Sequence, residues 1–434
     1  MKPWGLKMLS EGGRSKRIED ISEKDEGKEL ILNGWAQTVR ILKNVAFVRL
    51  RDGLGEIQIT FRNPEVVKGL TPESVIAVRG SLNRNDKVSG GYELMADDIM
   101  ILNPAKAPLP LDVTQRIKAD FDTRLDSRFM DLRAPRNMAI FMVRSLAMNV
   151  LRKQLFDRTF VEVHTPKIIA TATEGGTELF SLNYFEKECY LTQSPQLYKQ
   201  MLMSAGFDRV FEIAPAFRAE EHNTPRHLNE FVSIDVEVSF ADHEDVMKIL
   251  EEVMKALFEA VSADRATVLL GHELPAVNLP LQRVSYEECI ELGRGAGVAI
   301  EYGEDLSTET LREIAKQLDP LYFITEWPSD IKPFYAQPFE GREEITKSFD
   351  LMYGALELSS GAQRVHDPRL LKRRIEEKNL NPKNFEFYIR SFEYGMPPHA
   401  GWAIGAERLT SILTGVGNVK ECTLFPRDRR RVMP

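Results

Sequence analysis

Phe211-Glu212-Ile213-Ala214-Pro215-Ala216-Phe217-Arg218-Ala219-Glu220-Glu221-His222-Asn223-Thr224-Pro225-Arg226-His227-Leu228-Asn229-Glu230-Phe231 reads as a strand that runs into a polar loop. The chain returns through Ile234-Asp235-Val236-Glu237-Val238, which closes a hairpin. Arg218 stands at one strand end, with Arg226 and His227 in the loop. Guanidinium groups placed this way offer paired donors to phosphate or carboxylate. Either arginine alone reads as a solvated loop residue. Two Arg, two His and two Glu within the ten residues from Arg218 favour a polyphosphate ligand.

Further on, Gly401-Trp402-Ala403-Ile404-Gly405-Ala406-Glu407-Arg408-Leu409-Thr410-Ser411-Ile412-Leu413 is a glycine-containing strand entering an apolar helix. Arg408 falls in the first turn of that helix, where the helix dipole disfavours a cation. An anionic or planar ligand is one reason to place it there. Upstream of the hairpin, Met138 to Phe156 carries apolar residues at helical spacing. Thr159-Phe160-Val161-Glu162-Val163-His164-Thr165-Pro166 follows as a strand stopped by proline. By itself that unit is generic.

The N-terminal region has a different texture. Strands are expected at Leu30 to just past Trp35, Ala46–Arg51, Glu56–Phe61, Ser74–Leu82 and Tyr92–Leu102, with turn signals at Asp52-Gly53 and Gly90-Gly91. Five short strands in this span suggest a small closed barrel, of which the oligonucleotide-binding OB-fold is a common kind. Asn103 to Pro110, with three prolines, reads as a linker, and the Arg-rich stretch Ala119 to Pro135 as a hinge. Arg14 to Lys28 mixes charges of both signs and is read as a frayed tail or exposed helix.

Composition excludes several classes. At 434 residues and 43% hydrophobic, the chain can bury a large core in two or three domains. A net charge of −8 argues against a protein that coats nucleic acid indiscriminately, though not against one that grips a single RNA through local basic patches. The strongest such cluster is Arg427-Asp428-Arg429-Arg430-Arg431. Cys189, Cys289 and Cys422 lie too far apart for a CxxC metal site and suit a reducing compartment. No run of 18 apolar residues occurs and Met1-Lys2-Pro3-Trp4 lacks a signal-peptide core, so a cytoplasmic protein without a membrane span is expected.

On these residues the chain resembles the class II aminoacyl-tRNA synthetases, most closely the archaeal-type aspartyl enzymes, from about residue 28 to the C-terminus. The unit ending at Pro166, the hairpin and the Gly401 segment look like motifs 1, 2 and 3 of that class. Thr171-Ala172-Thr173-Glu174-Gly175-Gly176-Thr177, Gln193-Ser194-Pro195-Gln196-Leu197-Tyr198-Lys199-Gln200, Ser359-Ser360-Gly361-Ala362-Gln363-Arg364 and Phe425-Pro426-Arg427-Asp428 carry the likeness to the aspartyl branch. The resemblance implies an α+β protein. A charged extension (1–27) precedes an OB-fold anticodon-binding barrel (28–105) and a hinge (106–135). The catalytic domain (136–434) is built on an antiparallel β-sheet flanked by helices, with an insertion at about 242–345.

The implied chemistry is aspartate activation by ATP, then transfer to the 3′ end of tRNA(Asp). Lys199 and Arg364 match positions that supply cations to the substrate's side-chain carboxylate. Asparaginyl enzymes lack that lysine, since a neutral amide would leave a buried ammonium unpaired. Glu174 and Asp235 match acids near the substrate ammonium, and Gln196 a neutral donor–acceptor. Leu197, Tyr198, Arg218 and Ser360 complete the implied aspartate set. For ATP, Arg218 would bridge the α-phosphate and the substrate carboxylate, and Glu220 would contact the adenine side. Arg226 and His227 would hold the outer phosphates, while Phe231 and Arg408 sandwich the adenine. Ala219, Leu228, Gly405, Ala406 and Glu407 belong to the same implied site. Arg218 and Arg408 are the implied catalytic residues. Glu357 and Ser360 match Mg²⁺ positions, and magnesium suits oxygen ligands supplemented by water.

In the barrel, Phe47 matches a base-stacking position and Gln58 one that bonds a base edge. A core phenylalanine is the competing reading of Phe47. Strict tRNA(Asp) enzymes resemble one another at a tryptophan and a lysine where this chain has Gln37 and Ser89, and the relaxed enzymes' histidine is also absent at Gln37. The choice between tRNA(Asp) alone and both tRNA(Asp) and tRNA(Asn) is therefore left open by these residues. The class further implies a homodimer. Two rivals stay in view: an asparagine–tRNA ligase on the same fold, and a catalytically silent RNA-binding descendant, whose mark would be loss of Arg218, Arg408 or Glu357.

Overall fold

A computed structural model describes residues 14–170 and 178–434. The chain forms two compact units, one running through Ala139 and the other from Ile140 to Met433. Among the described residues no helix is long and apolar enough to cross a membrane.

In the first unit β1 (Glu29–Ile41), β2 (Ala46–Asp52), β3 (Gly55–Phe61), β4 (Val75–Arg84) and β5 (Tyr92–Asn103) close into a barrel in the order β1-β2-β3-β5-β4. Alternation does the sorting. Ala46, Val48 and Leu50 of β2 and Ile57, Ile59 and Phe61 of β3 point inward and pack with Leu32, Ile76 and Leu94. At Gly80 a Cβ would lie 2.1 Å from the Met95 carbonyl oxygen, so only glycine lets β4 approach β5 so closely.

Residues 14–27 differ from the expected frayed tail or exposed helix. They form two short 3₁₀ turns, Ile18–Asp20 and Glu23–Asp25, and Ile18 joins the barrel core. The cause lies in β2. The Asp52 carboxylate is buried, and it is satisfied by the Ile18 backbone N–H at 3.2 Å and by Arg14 at 2.7 Å. A similar need organises the end of this unit. Glu73, buried and at φ 65°, accepts from Arg51 at 2.9 Å and Arg133 at 3.0 Å, while both guanidiniums lie over Trp35.

The second unit is built on an eight-stranded sheet. Its strands are β6 (Val161–Glu162), β7 (Arg209–Phe217), β8 (Glu230–Ser239), β9 (Gln282–Ser285), β10 (Leu321–Thr325), β11 (Ser348–Tyr353), β12 (Leu356–Gln363) and β13 (His399–Gly405). The spatial order is β9-β10-β11-β12-β13-β8-β7-β6. The six central strands pair antiparallel, and the edge strands β9 and β6 pair parallel. Helices α1 (Pro135–Phe156), α2 (Gln196–Ser204), α3 (His243–Ser262) and α4 (Ala406–Thr414) flank it. α3 starts at an Asp242/Asp245 capping box and buries Val246, Leu250, Met254 and Leu257 at helical spacing, fixing one covered layer.

Candidate active site

Strand period two builds one wall of a cavity of about 440 Å³. Along β8, Phe231, Ser233 and Asp235 line the cavity and Glu237 continues the same face beneath it. Lys199 of α2 reaches under this floor. Its Nζ lies 3.0 Å from Asp235 Oδ1 and 3.4 Å from Glu237 Oε2, and its side chain is only 2% exposed. Arg364, at the end of β12, donates Nε to Glu237 Oε1 at 3.0 Å and Nη2 to Oε2 at 3.3 Å. Burial alone would raise the Glu237 carboxyl, but Arg364 and Lys199 outweigh it and hold the group below its ordinary range. Beside them, burial pushes His399 down to about 4, so it is neutral at physiological pH.

Helical geometry separates the four residues Gln196–Lys199. Gln196 lines the cavity and Lys199, three positions on, shares its side of the helix. Leu197 turns into a hydrophobic cluster with Val210 and Phe334, and Tyr198 lies against Phe387 with ring centres 6.5 Å apart. Neither side chain lines the cavity. Ala219 and Ala406 are likewise off the cavity wall: the Ala219 N–H donates to the Glu178 carbonyl, and Ala406 is wholly buried.

A β-bulge builds the opposite wall. β12 pairs with β11 through Ser359↔Leu351 and Glu357↔Met352, which leaves Leu358 as an extra residue. Residues three apart on a regular strand face opposite sides; the bulge restores parity, and Glu357 and Ser360 both line the cavity. Asp350 pairs with Ser360 across the ladder. Its Oδ1 is buried with no partner among the described residues, and its Oδ2 accepts from Lys332 at 2.7 Å. Glu357 is pushed above its ordinary range by its surroundings and then by the Asp350 carboxylate, which Arg408 and Lys332 only partly offset. Two carboxylates and a hydroxyl on one face, although Lys332 and Arg408 already pair with the carboxylates, are oxygen donors of the kind a magnesium-type cation takes.

At the hairpin end of the cavity, Arg218 lies 5.4 Å over the Phe231 ring, and Asn229 Nδ2 donates to the Arg218 carbonyl at 2.8 Å, bridging the hairpin mouth. Arg408 donates to the Glu357 carbonyl at 3.1 Å. Glu220, Arg226, His227, Leu228 and Gly405 share the cavity. Glu407 also borders it, and its carboxylate accepts from the Val232 N–H at 3.1 Å and from Arg144 at 2.8 Å, so it clamps β8 to α4. The basic tail folds back: Asp428 accepts from Lys420 at 2.6 Å and Arg429 donates to the Glu221 carbonyl.

Glu174 lies outside the described residues. In the barrel unit, Phe47 is half-buried on the outer face of β2, outside the core cluster, which removes the core reading. Gln58 and Thr60 donate to Glu93 at 3.1 and 2.6 Å beside it. Gln37 is buried against Glu56, and Ser89 sits in the β4–β5 loop. Glu237, Asp350, Lys332 and Glu93 escaped sequence reasoning. Only Glu237 carried a local signal, two residues after Asp235 on one strand.

A cavity with arginines at both ends on a largely antiparallel sheet, in a chain that also carries an OB barrel, defines a class of enzyme. Residues 120–429 match the family described as tRNA synthetases class II (D, K and N), and residues 30–102 match the OB-fold nucleic acid binding domain. The chain belongs to the class II tRNA synthetases. It is 51% identical over 424 residues to the aspartate–tRNA(Asp/Asn) ligase of Archaeoglobus fulgidus, covering 96% of this chain and 99% of that one. It is 49% identical over 423 residues to the aspartate–tRNA(Asp) ligase of Thermoplasma acidophilum, with coverage of 96% and 99%. Among solved structures it resembles the asparaginyl-tRNA synthetase of Pyrococcus horikoshii complexed with asparaginyl-adenylate. That match has a TM-score of 0.88 and 29% identity, covering 96% of this chain and 99% of that one.

Proposed function

We propose that this synthetase is an aspartate–tRNA ligase. The observation that carries the reading is the buried pair Lys199 and Arg364 beneath the cavity, two cations fixed by Asp235 and Glu237. A side-chain carboxylate entering there meets two cations already held in position by the carboxylates they are paired with. An amide would gain little there for the cost of desolvating it.

Aspartate's own carboxylate is a nucleophile at neutral pH, so adenylate formation needs no general base. Arg218, at the hairpin mouth, holds the α-phosphate and the attacking carboxylate together. Phe231 and Arg408 clasp the adenine, and Arg226 and His227 take the outer phosphates. Magnesium at Glu357 and Ser360, with Asp350 alongside, would neutralise triphosphate charge when bound. In the second step the terminal ribose hydroxyl of tRNA attacks the adenylate carbonyl. The barrel (28–105), followed by the hinge (106–135), reads the anticodon through Phe47 and Gln58. tRNA(Asp) is the primary acceptor. Gln37 and Ser89 match neither the strict nor the relaxed pattern, so whether tRNA(Asn) is a second acceptor is decided by charging it. The motif 1 helix α1 and the segment from β6 to Pro166 support a two-fold homodimer.

Pyrophosphate exchange driven by aspartate but not asparagine, followed by charging of purified tRNA(Asp) and tRNA(Asn), tests the assignment. Exchange driven by asparagine alone would replace it with the asparagine reading, and no exchange with either would support the silent descendant. Sedimentation of an active species at one-chain mass would remove the dimer.

A further inference from the structure

Lys332 belongs to none of the three motifs and comes from the insertion, yet it stands in the wall of the nucleotide cavity near Arg408 and Glu357. Its side chain is 14% exposed. The ammonium rests 4.1 Å over the Trp327 ring and donates to Asp350 Oδ2 at 2.7 Å. The segment that carries it is anchored on both sides. Trp327 accepts from the Thr346 N–H, the Ser329 N–H donates to the Glu344 carbonyl, and Arg374 and Lys378 donate to the Ser329 carbonyl. An ammonium has three donors and this one spends a single hydrogen bond among the described residues. Asp350 itself is buried away from the cavity wall, so of this ion pair only Lys332 lines the cavity, with donors to spare.

We propose that Lys332 is a phosphate-binding residue of the ATP site: it holds the outer phosphates of ATP and the departing pyrophosphate. The inference rests on the ligase reading and adds a cation from the insertion to those of motifs 2 and 3. Trp327 and Asp350 hold the ammonium in place before substrate arrives, so its remaining donors meet the phosphates without the entropic loss of ordering a free lysine.

The test is equilibrium binding of ATP, AMP and pyrophosphate to the full chain without amino acid, so that nothing turns over, both with magnesium and with chelator. Lys332→Met should weaken ATP and pyrophosphate roughly tenfold or more and leave AMP within about twofold, since AMP lacks the outer phosphates. Lys332→Gln can still donate to Asp350 but carries no charge; it should show the same split with a wild-type melting temperature. ATP and AMP weakened equally, or ATP unchanged in Lys332→Gln, would overturn the proposal. A wild-type chain that binds ATP but shows no aspartate-dependent exchange would sink the ligase reading while the phosphate result stayed readable. One that binds no ATP would sink both.

Discussion

Replacing Lys199 by Met keeps the length of the side chain and removes its charge. The variant loses the contacts at 3.0 Å to Asp235 and 3.4 Å to Glu237. Glu237 keeps Arg364, whereas Asp235 is left with Ser233. Aspartate then meets one cation where the wild type has two, with an uncompensated carboxylate beside it. Truncating one partner of a desolvated charge pair costs about 2–5 kcal/mol. The middle of that range, about 3 kcal/mol, is roughly a hundredfold in kcat/KM for aspartate. ATP binding should stay near wild type, because Lys199 lies beneath the amino-acid end, away from Phe231 and Arg408. The same charge loss should also destabilise the fold by about 3 kcal/mol, so exchange is measured well below the melting midpoint of the variant. The readout is aspartate-dependent pyrophosphate exchange at saturating ATP, with ATP affinity measured separately. Exchange within threefold of wild type would show that Lys199 does not pair with the substrate. Equal losses for aspartate and ATP would show general collapse of the site.

The neutral His399 gives a pH signature. Its folded value is about 4 against 6.5 for the free side chain, so the unfolded chain binds more protons between those values and stability falls as pH drops through the window. About 2 kcal/mol should be lost between pH 6.5 and pH 5, visible as a lower urea midpoint, and His399→Gln should flatten that step. Phe47→Ala should lower tRNA charging about ten- to a hundredfold by removing a stacking contact of roughly 1–3 kcal/mol. Exchange and melting temperature should stay at wild type, since Phe47 lies outside the barrel core; equal loss of exchange and charging would mark it as packing. Glu73→Gln should destabilise the barrel unit by about 3 kcal/mol in calorimetry, because Arg51 loses its charge partner inside the protein. An unchanged transition would mean Arg51 finds another partner.

Much of this was legible locally. Short strand runs bounded by turn signals mark all five barrel strands, with alternation clear in β2 and β3, and the hairpin residues Arg218, Arg226 and Asp235 gather at one cavity as a strand–loop–strand reading implies. What escaped depends on geometry that no short window contains. Leu197 and Tyr198 sit inside a matching stretch, but a helix rotates about 100° per residue and carries them away from Gln196 and Lys199. Asp350 and Lys332 approach the motif residues only because the sheet places β11 beside β12. Ile18 looked like part of a charged tail because its burial is dictated by Asp52, more than thirty positions later. Glu357 and Ser360 were recognisable by resemblance, whereas their spacing on a strand argues against a shared face until the bulge is seen.

That bulge makes the oxygen cluster vulnerable to an addition. One residue inserted between Leu351 and Met352 would give Leu358 a partner and return the ladder to regular pairing. The sheet would be tidier, and Ser360 would leave the face that Glu357 occupies. Every motif residue would still be present in the sequence. Lineages of this enzyme thus have a route to a folded, inert descendant through a gain of sequence, invisible to any search for missing catalytic residues. Such an insertion should keep the melting temperature and abolish pyrophosphate exchange, and a retained activity would show that the cavity tolerates either parity.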